Sequence, residues 1–300
     1  MIDGTDVTVE LEEQKRRSRL IDFLSRLVRE KPLGTFGGII VLLLLFSGIF
    51  ADVLAPYGMN ELHIYDRLAA PSGKYLLGTD QLGRDMLSRI IYGARVSVII
   101  GLSATSVNMV VALLIGTTTG FFGGKLDIVV QRFVDAWMAF PGLLILITVM
   151  SLVGRGQLQT ILVLGISGGI GGSRISRSAV IGIKENDYFQ AAKAIGSPPL
   201  RTILRHVLPN IMAPMIVIFT VTIGAVIMAE ASLSFLGFGL PPDVASWGGM
   251  LSGEGRAYME MAPWLAIWPG LALTLVVYGI NMFGDALRDL LDPRLRGGEG

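Results

Sequence analysis

Three sets of ionisable residues stand where the surrounding sequence is apolar. Glu230 lies in the run IMAEASLSFLG and is the only charge there. Arg132 and Asp135 are three apart, on one face of a helix, within an apolar stretch. A charge at membrane depth must be paired, hydrated or neutralised, so Glu230, Arg132 and Asp135 are candidate pathway or gate contacts. Structural roles stay open beside that reading. Glu230 could cap the segment 231–236 or pair with a partner subunit, and Arg132 with Asp135 could be a boundary ion pair. Asp285, Arg288 and Asp289 form a third cluster at the end of the last apolar stretch.

The chemistry these residues do not provide is as informative. The chain has no Cys and two His, His63 and His206, far apart in sequence. Disulfides, thiol nucleophiles and Cys-ligated metals are excluded, and no metal or cofactor site is assigned. No phosphate-binding G-x-x-x-x-G-K-[ST] loop occurs, so ATP hydrolysis is not expected of this chain. No Ser/His/Asp constellation stands out, and no catalytic residue is assigned. The formal net charge of +1 gives no reason to expect nucleic acid.

The elements holding these residues are membrane spans. The 300 residues are 52% hydrophobic and 16% charged, against roughly 25% charged in a soluble domain. Mean hydropathy is +0.61. Six stretches are apolar over about 20 residues, the length of a spanning helix: 34–55, 96–120, 128–152, 158–172, 207–235 and 263–283. The expected fold is all-α and polytopic, one N-terminal anchor helix followed by a five-helix core. A signal peptide at 34–55 fits less well, because the charged lead-in is long and no A-x-A site follows. Eighteen of the 25 Lys and Arg fall on the side that would hold both termini, which places the termini in the cytoplasm. Arg84, Arg89 and Arg95 run against this count, and 84–97 reads as an amphipathic interfacial segment on the outer side. The organisation is then a basic lead-in (1–33), the anchor (34–55), an extracytoplasmic loop and interfacial segment (56–95), a transmembrane domain (96–289) and a polar tail (290–300).

Small residues punctuate the spans. Gly165/Gly169, Gly168/Gly172, Gly116/Gly120 and Gly120/Gly124 are small-xxx-small pairs that let helix backbones approach. Trp247, Trp264 and Trp268 read as interfacial anchors. The Gly- and Pro-rich stretch 237–253 reads as an ordered outer loop.

The longest cytoplasmic segment, 173–206, does not read as a linker. Asp187 followed by Gln190 has capping-box spacing. A helix over 188–195 would end at Gly196, a left-handed stop. Ser197 can cap a second helix with Pro198 at its first position. Leu200, Ile203, Leu204 and Val207 mark one apolar face, and Pro209 closes the segment. Small Ala191, Ala192 and Ala194 would let a partner backbone come close, Tyr188 and Phe189 would offer contact area, and Lys193, Arg201 and Arg205 would surround them. His206, a lone histidine, reads as a packing or interfacial residue. A docking site for a cytoplasmic partner fits this better than a loop folded on its own spans.

The stretch QAAKAIGSPPLRTILRHVLPN resembles the EAA loop of ABC-importer permeases, carried here by Gln190, Ala191, Ala192, Gly196, Leu208 and Pro209. LLGTDQLGRDMLSRIIYGARVS (76–97), FFGGKLDIVVQRFVDAWMAFP (121–141), AEASLSFLGFGLPPDVASWGGML (229–251) and APWLAIWPGLAL with NMFGDALRDLLDPRLR (262–296) are similar to the C-type permease subunits of the dipeptide/oligopeptide/nickel importers. The resemblance covers about 33–296. It implies a permease that forms a path with a second, B-type permease in a bacterial or archaeal plasma membrane. Two cytoplasmic ATPase subunits and an extracytoplasmic substrate-binding protein would be its partners, beside membrane lipid. The cargo would be peptides, with nickel or glutathione as related possibilities. The helix near Gln190–Gly196 would sit in a cleft of an ATPase and transmit its closure to the spans, while the outer loop would either seat the binding protein or pack as a lid. Two departures stand out: Gln190 replaces the family's Glu, and GISGGIGGSR (165–174) stands where many relatives have Trp and Pro. The rivals are an ion-coupled secondary transporter, for which neither a repeat nor a second bundle is visible, and an intramembrane enzyme, for which no nucleophile or metal set is visible.

Overall fold

The structure is a computed structural model that describes residues 25–291. The long helices are α1 (Pro32–Ile49), α3 (Met86–Phe122), α4 (Gly124–Met138), α5 (Gly142–Val153), α6 (Gln157–Lys184), α9 (Leu208–Phe235) and α12 (Trp264–Leu291). Short helices connect them: α2 (Ala51–Leu54), α7 (Asp187–Ala194), α8 (Pro199–Thr202), α10 (Trp247–Leu251) and α11 (Gly253–Tyr258). Among the described residues the only extended pairing is one bridge, Thr79 with Asp85. The all-α class expected from the sequence is the class observed, with helices long and apolar enough to cross a membrane. Most of the lead-in and the tail lie outside the described residues.

Pro32 opens α1, where its missing N–H costs nothing. Leu42 and Leu43 face outward, as in a lipid-facing anchor, but the helix is not isolated. Gly34 and Gly37 lie directly on α12, and a Cβ on Gly37 would come within 2.8 Å of the Phe283 amide. Lys31 extends the contact with a 2.6 Å ion pair to Asp289.

The segment 84–97 is not a separate helix but leads into and opens α3. Asp85 caps α3 by accepting the Ser88 amide at 2.8 Å, and the helix then runs 37 residues to Phe122. That is about 55 Å, well beyond the ~30 Å hydrocarbon core. Its arginines turn inward because protein acceptors await them. Arg84 meets Asp80, Arg89 meets the Met59 carbonyl and Asn60, and Arg95 bonds the Gly48 carbonyl and Asp52.

The tightest helix pair is α3 with α6. Gly165 and Gly169 receive Val107 and Val111, while Gly116 and Gly120 face Ser173, Ser176, Arg177 and Val180. Ser176 donates to the Ala112 carbonyl at 2.5 Å, a bond made across two helix backbones. Gly165/Gly169 and Gly116/Gly120 therefore pack helices, Gly168 and Gly172 also line a cavity, and Gly124 lies past the end of α3 with open space around it.

Three expected boundaries move. The single span 128–152 is broken: α4 and α5 meet at 91° across Ala139–Pro141, since proline disfavours a helical residue before it. The span at 158–172 continues to Lys184, so the connecting loop expected from 173 starts only at Glu185. Ser173, Ser176, Val180 and Ile183 keep one buried face through that extension. Arg177 and Lys184 pin its end to Asp127 and to the Gly120 and Phe121 carbonyls. Lastly, Pro209 does not break the chain. The turn Ile203–Val207 widens to a π-turn, with the Leu208 amide bonding the Ile203 carbonyl, and α8 runs on into α9. The wider turn accommodates a proline ring that would otherwise meet the carbonyl four residues back.

Four helices among the described residues are long and apolar enough to cross a membrane, and five if α4 and α5 form one span. The count falls short of six because glycine and serine dilute the apolar content of α6.

Of the three tryptophans read as interfacial anchors, two, Trp247 and Trp264, pin segments of the chain together. Trp247 is buried and donates to the Ile90 carbonyl at 3.1 Å, and Trp264 donates to the Thr79 carbonyl at 3.1 Å. The loop before α3 carries its own ion pair, with Lys74 Nζ 2.7 Å and the Tyr75 hydroxyl 2.9 Å from Asp66. The Lys74 ammonium, then the Tyr75 hydroxyl, hold the Asp66 carboxyl below its ordinary range. A depressed folded value means support for the loop that is present above the unfolded pKa, about 3.9, and is lost as pH falls through the folded value. Limited proteolysis of 64–75 should accelerate between about pH 5 and pH 2, and Asp66→Asn should remove that dependence.

Candidate functional site

The helix α7 stands at one end of the bundle, beside the C-terminal ends of α3 and α6. Its start differs from the capping box read in the sequence. Asp187 is in the first turn, and the Phe189 and Gln190 amides bond the Asn186 carbonyl at 3.0 and 3.2 Å. The Gln190 side chain reaches back and donates to the Lys184 carbonyl at 2.7 Å. A carboxylate at this position could not make that bond, because it has no hydrogen to donate. Glutamine at this position therefore ties α7 to the last turn of α6.

The end of α7 matches the sequence reading. Gly196 has φ 72°, and the Ser197 amide bonds the Ala192 carbonyl at 3.1 Å, the six-to-one bond of a Schellman stop. Ser197 does not cap the next helix. That helix starts one residue late, at Pro199, and the Ser197 hydroxyl accepts from Thr202 instead.

Phe189 and Ala192 point into the body rather than to a partner. The Phe189 ring packs edge-on against Phe121, centroids 6.0 Å apart, within a cluster of Val180, Ile183, Val207 and Ile211. Phe189→Ala should cost about 3 kcal/mol, the usual loss for emptying a buried aromatic site. A lower melting temperature with faster proteolytic cleavage near 185–198 would show it.

With Phe189 and Ala192 buried, the outward face of α7 is Tyr188, Gln190, Ala191 and Ile195. Ile195 is 84% exposed, unusual for isoleucine on a rigid surface. The sequence reading missed it, although the spacing 188, 191, 195 is one helical stripe. Leu200 and Leu204 are exposed beyond it, and Val207 is buried, so the apolar face of the second helix is split between surface and body. Arg201 and Arg205 are exposed beside them, and the Lys193 side chain lies outside the described residues. His206 is half-buried in the π-turn, its carbonyl bonded by Asn210 at 2.6 Å, and Pro209 follows at the start of α9.

Midway along the bundle, α3 to α6 and α9 line an open cavity of about 430 Å³. Asn108, Trp137, Phe140 and Thr222 line it beside Gly168 and Gly171. The glycine run of α6 gives this wall its depth. Glu230, Arg132 and Asp135 are not among its lining residues. Glu230 is buried and accepts from Ser234 at 2.6 Å. Asp135 pairs with Arg174 of α6 and, at 3.3 Å, with Arg132. Among the described residues no three His, Cys, Asp or Glu converge as a metal site would require.

Apolar helices of membrane-crossing length, a small-residue helix core, an open cavity among the helices and a surface helix at one end are the architecture of a multi-pass membrane protein. The family model for the binding-protein-dependent transport system inner membrane component matches residues 112–297, and the N-terminal transmembrane domain of oligopeptide transport permease C matches 18–71. The chain belongs to this family and is a permease subunit of an ABC importer. It is 38% identical over 270 residues to the di/tripeptide transport system permease protein of Pseudomonas aeruginosa, covering 88% of this chain and 89% of that one. It is 36% identical to the glutathione transport system permease protein of Pectobacterium atrosepticum, covering 92% and 91%. Against the oligopeptide transport system permease protein of Bacillus subtilis the identity is 35%, covering 89% and 88%.

Proposed function

We propose that this chain imports short peptides, forming the path with a second, B-type permease and drawing work from ATP hydrolysis in two separate cytoplasmic subunits. The observation that carries the reading is α7. A helix whose buried side is locked to α3, α6 and α9, and whose outer side offers Tyr188, Ala191 and Ile195, is a rigid lever with a partner face. An ATPase cleft closing on that face displaces the ends of three long helices together, and the cavity above them changes its access. An extracytoplasmic binding protein delivers cargo at the opposite end, where the loop around α10 lies. Both termini are cytoplasmic in this reading, supported by the basic lead-in and by the Lys31–Asp289 pair near the two ends. Peptide cargo is supported by the relatives named for di- and tripeptides, oligopeptides and glutathione.

The test is purification of the chain from its own membrane in mild detergent, with mass spectrometry of what accompanies it. A second permease and one or two P-loop ATPases are expected. Recovery of this chain alone, from a preparation still active in transport, would refute the assembly.

A further inference from the structure

The end of the bundle opposite α7 holds a cavity of about 340 Å³ that the coupling mechanism does not use. Four of its described lining residues are charged: Asp80, Arg84, Arg89 and Arg155. Two of the three arginines that stand out before the second apolar stretch, Arg84 and Arg89, converge here, while Arg95 is taken up by Gly48 and Asp52.

Asp80 cannot serve both buried guanidiniums. Its Oδ1 accepts the Leu82 and Arg84 amides at 2.8 and 2.9 Å, and its Oδ2 accepts Arg84 Nε at 2.6 Å. Arg89 Nε is 3.9 Å from Oδ2, beyond hydrogen-bond length. Arg89 donates instead to neutral oxygens, the Met59 carbonyl at 3.3 Å and Asn60 at 3.2 Å. Its side chain is only 5% exposed. Glu230, behind the wall, takes its hydrogen bonds from Ser234 and Ser246, not from the arginines. Arg84 and Arg89 thus share one carboxylate, and a buried guanidinium without a counter-anion is costly. Arg155, exposed at the mouth, adds a third positive group.

We propose that this cavity binds the free C-terminal carboxylate of a short peptide. The inference rests on the peptide reading above. Among the buried residues that line the cavity, Arg84 and Arg89 outnumber Asp80 by one charge, which suits a monoanion; buried Asp85 lies outside the lining and is taken up by the Ser88 amide and hydroxyl. A guanidinium presents paired donors that match a carboxylate. Met86, Leu240 and Leu265 form an apolar wall beside the arginines, suited to the side chain of a terminal residue. The volume lies near the lower end of small-molecule sites, about 300–1,000 Å³, enough for the end of a peptide and too small for a long one.

The chain has no Cys, so Ser252→Cys in the cavity lining places a single thiol there. The assembled transporter, without its binding protein, is labelled with an uncharged maleimide in the presence of trialanine or trialanine amide. At twice its dissociation constant, trialanine should slow labelling about threefold. The amide should leave the rate unchanged. Arg155→Ala, at an exposed position that folding does not need, should weaken protection about tenfold. Equal protection by acid and amide would overturn the carboxylate assignment. Protection by the purified binding protein but not by trialanine would overturn it too, and give the arginines to that partner. Absent protection in a transporter that still imports trialanine would remove this site and leave the peptide reading standing. Failure of the complete transporter to import any short peptide would remove both.

Discussion

Arginine in place of Ala191 is expected to lower peptide uptake by about thirtyfold or more, with the protein still inserted and folded. Ala191 is exposed on the outward stripe of α7 between Tyr188 and Ile195, and its side is opposite to buried Phe189 and Ala192. Substitutions at such a position usually change stability by within about 0.5 kcal/mol. The cost falls on docking. A methyl group lets a partner backbone approach, whereas a guanidinium inserts a long side chain and a charge that must be desolvated. Central contact positions of this kind are worth about 2 kcal/mol or more, hence about thirtyfold. The measurement is the ratio of peptide imported to ATP hydrolysed in proteoliposomes. A large fall in that ratio with unchanged melting temperature is expected, and Ala191→Ser should keep it near normal. An unchanged ratio in the arginine variant would remove α7 from the coupling path.

Much of this was legible before any coordinates. The apolar windows of α1, α9 and α12 are long and nearly uncharged, and Gly196 punctuates a periodic segment as a left-handed stop must. Such signals are local, and local signals survive folding. What escaped reading depended on distant partners. Nothing within 84–97 says that Asn60, Asp80 and the Met59 carbonyl wait to receive its arginines, so the segment reads as a surface helix. The extension of α6 to Lys184 is built on contacts with α3, from residues about 64 positions away in the Ser176–Ala112 and Lys184–Gly120 bonds. Pro209 reads as a stop because the π-turn that accommodates it leaves no mark in composition. Pro141, by contrast, was a visible breaker, hidden only by the apolar residues on both sides of it. In the candidate site, the stripe 188–191–195 was present in the spacing, but Phe189 competes with Ile195 for the surface. Only the cluster around Phe121 decides which of them is buried.

The long-range contact of α3 with α6 sets the second large effect. Gly116→Leu should cost about 3 kcal/mol or more, because the obstacle is backbone rather than a movable side chain. A Cβ on Gly116 would lie 2.7 Å from the Arg177 amide and closer still to the Ser173 carbonyl and Ser176 hydroxyl. Relief requires the two helices to part. Parting them breaks the 2.5 Å bond from Ser176 to the Ala112 carbonyl and leaves a polar pair in apolar surroundings. It also strains the Arg177–Asp127 pair, whose bonds are 2.7 and 2.6 Å, and loosens the end of α6 that carries α7. Gly182→Leu is the control on the facing helix α6, since nothing lies within 4 Å of a Cβ there and leucine is the better helix former. The expected result is a large drop in melting temperature and loss of uptake for Gly116→Leu, with little change for Gly182→Leu. Equal stability of the two variants would mean that the α3–α6 seam tolerates separation. Motion applied at α7 could then not be carried rigidly along α3, whose far end opens the arginine cavity.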